Sequence, residues 1–285
     1  MRRSPREYRL DLKVCVGHSL FSGDWLDRLE RVLAARVGPW SDGLHAWRDE
    51  AGERELVGGL AAGVRRIADE HGELYARLRE KYGPGPHERR TGSVELRGGD
   101  DSLIVVVILD DYVFQPSAGR HLWGNTVAFQ FCGFECCGEP APVVCRRIAE
   151  DCCREADVLY AHGRLSAEWY AKNMLLDGGL RAIGVDMSRY LPGLYWLNWF
   201  GAPYCELMGR ERLLSAPAFD AIALGDGVLL QVDERPDDWD SSDTRYARVL
   251  EHVGDRYFFL RNNPGRRTVA PDFGLEPLRR FPGAT

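Results

Sequence analysis

Seven consecutive apolar residues, Leu103 to Leu109, constrain this chain more than any other stretch of it. The run is strand-sized and far short of the ~20 residues that a membrane-spanning helix needs. Without polar alternation, it predicts a central strand covered on both faces. Neighbouring segments carry the other strand signature. Tyr8, Leu10, Leu12, Val14 and Val16 alternate with Arg9, Asp11 and Lys13, a period of two that predicts a half-buried strand. Val127, Phe129 and Phe131 alternate in the same way. Gly98-Gly99-Asp100-Asp101 separates Ser93–Arg97 from the apolar run, so these two strands are expected to form an antiparallel hairpin. A second hairpin is expected around Gly225-Asp226-Gly227.

Helical spacing lies between the strands. Asp24 to Val37 carries an apolar stripe with an acid at its start, and Gly38-Pro39 stops it. A longer stripe predicts a helix from about Arg54 to Tyr82. Pro140-Ala141-Pro142 opens another, expected to run to about Tyr160. Shorter helices are expected over 167–173, 203–209, 210–214 and 243–253. Leu194 to Phe200 reads as an aromatic extended segment. Strands and helices are interspersed without regular strand–helix–strand alternation. The fold class is therefore α+β, antiparallel sheet with helices packed on it. The expected organisation is a single domain, 1–285, of two loosely similar halves (1–138 and 139–260). A tail, 261–285, is expected to pack loosely.

The acidic residues number 43 and the basic ones 37, a net charge of −6. That balance argues against a nucleic-acid partner. The basic start, Met1 to Arg6, has no apolar stretch after it, so neither an export signal nor a membrane partner is expected. Eight cysteines in such a chain point to reduced thiols and a cytoplasmic location.

Six of those cysteines fall between Cys132 and Cys153, but not at zinc-ribbon spacing. Cys145 and Cys152 sit on the apolar stripe of their helix, which predicts core packing. His162 is near them in sequence only. Asp110 and Asp111, at the end of the most apolar strand, together with His121, could build a metal-dependent hydrolase, the alternative enzymatic reading. No phosphate loop and no nucleophile elbow occurs. We therefore expect no catalytic residue, no metal and no cofactor. The most distinctive surface feature is Asp233 to Asp243. Asp233, Glu234, Asp237, Asp238, Asp240 and Asp243 surround Trp239 there. Carboxylates around an aromatic residue suit a docking surface for a basic protein.

The segment Gly184-Val185-Asp186-Met187-Ser188-Arg189-Tyr190-Leu191-Pro192-Gly193-Leu194-Tyr195-Trp196-Leu197-Asn198-Trp199-Phe200-Gly201-Ala202-Pro203-Tyr204 resembles bacterial polymorphic-toxin immunity proteins. It is most similar to the immunity protein 52 family, with a related pattern in type VI immunity proteins. The likeness continues through Glu206 to Leu214, Gly227 to Val232 and Pro236-Asp237-Asp238-Trp239. It covers about a third of the chain, from Arg181 to Asp272, and leaves out the Cys132–Cys153 region. The resemblance implies a non-enzymatic protein that binds and neutralises a cognate toxin domain in the cytoplasm. A secretion-system adaptor that binds a toxin without inhibiting it is the neighbouring possibility.

Overall fold

The alternating N-terminal segment becomes the axis of the molecule. The computed structural model describes residues 9–17, 24–37, 45–49, 52–55, 60–82, 91–97, 103–110, 126–136, 138–155, 157–176, 180–187, 189–240 and 245–271. In chain order the first elements are β1 (Leu10–Val16), α1 (Trp25–Val37), β2 (His45–Asp49), β3 (Gly52–Glu55), α2 (Leu60–Tyr82), β4 (Thr91–Arg97), β5 (Leu103–Asp110) and β6 (Thr126–Phe131). A short hairpin of β7 (Glu135–Cys136) and β8 (Glu139–Pro140) leads into α3 (Ala141–Glu155). Then come β9 (Val158–Leu165), α4 (Ser166–Asn173), β10 (Met174–Leu176), β11 (Leu180–Ala182), β12 (Leu197–Phe200), α5 (Ala202–Met208) and α6 (Arg210–Leu214). The last are β13 (Asp220–Leu224), β14 (Gly227–Gln231), a 3-10 turn at Pro236–Asp240 and α7 (Arg245–Val253).

Ten strands form one sheet in the order β13-β14-β12-β9-β1-β6-β5-β4-β2-β3. Every neighbouring pair in it is antiparallel. The fold is thus α+β. Both hairpins are present, β4 with β5 and β13 with β14. Early strands make one wing of the sheet and late strands the other. They meet where β1 pairs with β9, from Leu10 opposite Leu165 to Val16 opposite Val158.

Side-chain alternation sorts this sheet into two cores. Leu10, Leu12 and Val14 of β1 join Val105, Val107, Val127 and Phe129 on one face. Trp25, Leu26 and Leu29 of α1 and Val144, Cys145 and Ile148 of α3 cover them. On the opposite face Tyr160, Phe200, Val228 and Leu230 meet Tyr204, Met208, Leu213, Val249 and Val253 from α5, α6 and α7. Helices also tie to one another. The Glu30 carboxylate of α1 accepts the Leu60 N–H at 3.0 Å, satisfying an end amide of α2. Arg36 of α1 pairs with Asp151 of α3 at 2.6 Å.

Three expectations are corrected. The long helix does not start near Arg54, because Gly52–Glu55 is β3, paired with β2. The helix opened by Pro140 ends at Glu155, and Val158–Leu165 is a strand with all eight residues buried. Helical spacing extended through Leu159 because a strand buried on both faces shows no polar alternation. Conversely, the described part of the apolar run, Leu103 to Val107, is deeply buried on one face only; Ile104 and Val106 are half-buried. Of the expected tail, 261–285, residues 261–271 are described and bond to the body, and 272–285 lie outside the described residues. Arg261 donates to the Ala171 carbonyl, Arg266 pairs with Asp255, and the Val269 N–H bonds the Arg256 carbonyl.

Two glycines test this packing. A Cβ at Gly201 would overlap the backbone oxygen of Val158 in β9. Gly225 has a φ of +57° and open space around it, so alanine there meets backbone strain alone. Chemical denaturation should show Gly201→Ala losing about 2–3 kcal/mol, the upper part of the overpacking range. Gly225→Ala should lose only about 1 kcal/mol.

Candidate functional site

The acidic segment after β14 is a structured turn with its foot inside the protein. Asp233 is buried, at 6% exposure. Its carboxylate accepts Arg245 Nη1 at 2.6 Å and the Glu234 N–H at 2.8 Å. Its carbonyl accepts Trp196 Nε1 and Gln231 Nε2, both at 2.9 Å. Trp239 is half-buried and packs against the α1/α3 core. Its indole N–H is buried without a hydrogen-bond partner. Trp239, expected among the partner-binding residues, is thus partly inside the protein. Asp233 and Trp239 anchor the turn. Glu234 and Asp237 stand exposed, and Asp238 is half-buried beside Arg235 at 3.0 Å. The Asp240 side chain and Asp243 lie outside the described residues.

Beneath the turn lies a buried polar cluster carried by β9, α4 and β12. Register places Lys13 of β1 opposite His162 of β9, and His162 opposite Asn198 of β12. His162 stacks on Tyr195 at 4.6 Å and on Tyr160 at 5.4 Å between ring centres. Arg164 Nη1 lies 2.9 Å from His162 Nδ1, and its guanidinium sits 4.1 Å above the Trp169 ring. On α4, Glu168 is fully buried and accepts Lys172 Nζ at 2.5 Å. Lys172 also donates to the Leu194 carbonyl at 2.7 Å and lies 5.0 Å over the Tyr246 ring.

These surroundings decide the protonation states. Burial, with Arg164 and Lys13 adding to it, holds His162 well below the usual imidazole range. A neutral ring accepts the Arg164 N–H. Burial pushes Lys13 down to about 8. Burial also raises Glu168, against the pull of Lys172. His162 is only 2% exposed, and Lys172 is the partly exposed member of the cluster.

The side chains of the expected hydrolytic site are not among those described. Asp111 and His121 lie outside the described residues, as does the Asp110 side chain. Among the described residues no group of three or more His, Cys, Asp or Glu could hold a metal ion. Cys145, Cys152 and Cys153 are buried thiols in the α3 core, and burial pushes Cys152 up to about 12. Cys132 is exposed, and Cys137 is outside the described residues.

The aromatic segment that carried the resemblance is the frame on which the turn stands. All residues from Leu194 to Phe200 are buried. Asn198 folds its amide back onto Tyr195, accepting its N–H at 3.1 Å and donating to its carbonyl at 2.8 Å. Tyr195 Oη donates to Asn173 Oδ1 at 2.6 Å, and Trp199 Nε1 to the Val158 carbonyl at 3.0 Å. Trp196 reaches the turn itself through Asp233. Sequence reasoning missed Arg164, Glu168, Lys172 and Asn198. The i,i+4 spacing of Glu168 and Lys172 was a visible signal, but it reads equally as a surface pair.

No family model matches the chain, and no curated protein matches it. Among solved structures, the chain is similar to the Pseudomonas aeruginosa T6SS protein PA0821. That likeness has 13% identity and a TM-score of 0.45, and it covers 95% of this chain and 78% of that one. Among the described residues, no helix is long and apolar enough to cross a membrane.

The Glu168 environment has a testable pH signature. Its folded-state pKa lies above the ordinary value of 4.5, so the folded protein holds this proton more tightly than the unfolded chain does. Stability from this group is present below 4.5 and is lost as pH rises through the folded value. Unfolding free energies measured from pH 4 upward should therefore move in favour of Glu168→Gln relative to the natural protein as pH increases. A pH-independent difference between the two contradicts this assignment.

Proposed function

We propose that this chain is a non-enzymatic immunity protein that binds and neutralises a cognate toxin domain in the bacterial cytoplasm. The observation that carries the reading is the anchored acidic turn. Asp233 and Trp239 hold it from inside, while Glu234, Asp237 and Asp238 face outward. Carboxylates fixed before contact lose little freedom on binding, so more of their interaction reaches the affinity. Concentrated on one prominence, they steer a basic partner and raise its association rate. A toxin that acts on nucleic acid has such a basic face, where carboxylates can take the place of phosphates. The resemblance of the aromatic frame to immunity proteins supports the same reading.

The test is the combined reversal Glu234→Lys, Asp237→Lys and Asp238→Lys. The probe is the toxin domain encoded beside this gene. The expected result is an association rate lowered at least tenfold at low salt, with lost growth protection on co-expression. The buried anchors Asp233 and Trp239 are kept, and the unfolding midpoint of the variant is measured alongside to show that the turn survives. An unchanged rate at low salt removes the turn from the interface. Binding without growth protection replaces neutralisation with an adaptor role.

A further inference from the structure

β13 ends the sheet on the side of the late strands. Its inner side is fully used, with a continuous five-pair register to β14 from Asp220–Gln231 to Leu224–Gly227. The two-residue turn Gly225-Asp226 makes Leu224 and Gly227 a hydrogen-bonded pair. Alternation then points the N–H and C=O groups of Ala221 and Ala223 away from β14. The Val232 N–H, bonded to the Trp196 carbonyl across the other side of β14, sets the same phase. These outer groups have no hydrogen-bond partner among the described residues. Asp220–Leu224 contains no proline, no lysine and no bulge, and Asp220 at its start is its one charge.

We propose that β13 is a dimerisation edge, where two copies of this chain pair their β13 strands antiparallel about a two-fold axis at Ile222. That axis sets Ala221 of each copy opposite Ala223 of the other, and each such pair exchanges two backbone hydrogen bonds. Shape supports a second copy as the occupant. Phe219 is 50% exposed, a large apolar side chain with nothing covering it. It stands just before β13 with its own N–H bonded to the Val232 carbonyl, so its side chain flanks any strand added at this edge. Charge supports it as well. Glu234 lies at the start of β13, next to Gln231. Arg210 lies at the other end, bonded to the Gly225 and Asp226 carbonyls. Antiparallel pairing brings the acidic end of each copy to the Arg210 end of the other. One strand from each partner is a small interface, so the dimer is weak and reversible. Glu234 also belongs to the proposed toxin-facing turn, so the dimer is tested on Phe219, Ala221 and Ile222, which do not.

Sedimentation of the full-length protein over a concentration series tests the pairing. The natural protein should show a concentration-dependent monomer–dimer equilibrium. Ala221→Pro removes an outward donor without touching a bond to β14, and Phe219→Lys places a charge against the opposing strand. Each should weaken dimerisation at least tenfold. Phe219→Lys changes an exposed residue and so remains informative if the proline variant fails to fold. Under mild oxidation, Ile222→Cys in a Cys132→Ser background should form a disulfide-linked dimer. A protein that sediments at its monomer mass of 32.2 kDa at every concentration overturns the proposal. So does a dimer that both edge variants leave unchanged, or one that fails to cross-link through position 222.

Discussion

The antiparallel ladder between β1 and β9 holds the two wings of this protein in one sheet. Both strands have neighbours on each side, so their backbone groups are satisfied by ladder bonds even where no water reaches them. Its ends are closed as well. The Gly17 N–H bonds the Asp157 carbonyl, and the Ser166 N–H bonds the Arg9 carbonyl. A one-residue slip would send Leu10, Leu12 and Val14 into the wrong core and Lys13 into the apolar one. That penalty sets the register, and the register positions everything carried on β9 and α4.

Register also explains why so many polar groups can lie inside. Tyr160, His162 and Arg164 share one face of β9, while Ala161, Gly163 and Leu165 share the other. The polar face would be costly to bury without partners. Partners arrive from the segment leading into β12 and from α4: Tyr195 and Trp169 as stacking surfaces for His162, the Trp169 ring beneath the Arg164 guanidinium, and Asn198 as acceptor for the Tyr160 hydroxyl at 3.4 Å. Gly163 permits the close approach of β12, since a Cβ there would press on Leu197 at 3.2 Å. Such a cluster specifies one arrangement of strands and helix.

The acidic turn inherits this rigidity. Trp196 and Gln231 hold the Asp233 carbonyl, Arg245 holds its carboxylate, and Arg146 links Gln231 to α3 at 2.6 Å. A loop of high charge would ordinarily sample many conformations, because its acids repel one another. Here one acid is neutralised inside the protein, and the remaining acids project from a fixed base.

Much of the fold was legible in the amino-acid order. Period-two alternation placed β1 and β6, and turn glycines placed both hairpins. Capping and breaking residues bounded α1 and the helices after Pro203. The cysteine stripe of α3 was read as core, and it is core. These features depend on contacts between near neighbours in the chain. The partition of Asp233 from Glu234 depends on Arg245 and Trp196, which approach only after β12, β14 and α7 assemble. The start of β9, Val158 to Tyr160, passed for helix because its burial comes from β1 and β12, far away in the chain. The burial of Glu168 left no local signal for the same reason. Local periodicity records which face of an element is apolar, and it determined the α+β class and most of the elements. Only the tertiary structure decided which polar residues are enclosed, because enclosure is set by partners that sequence spacing does not bring together.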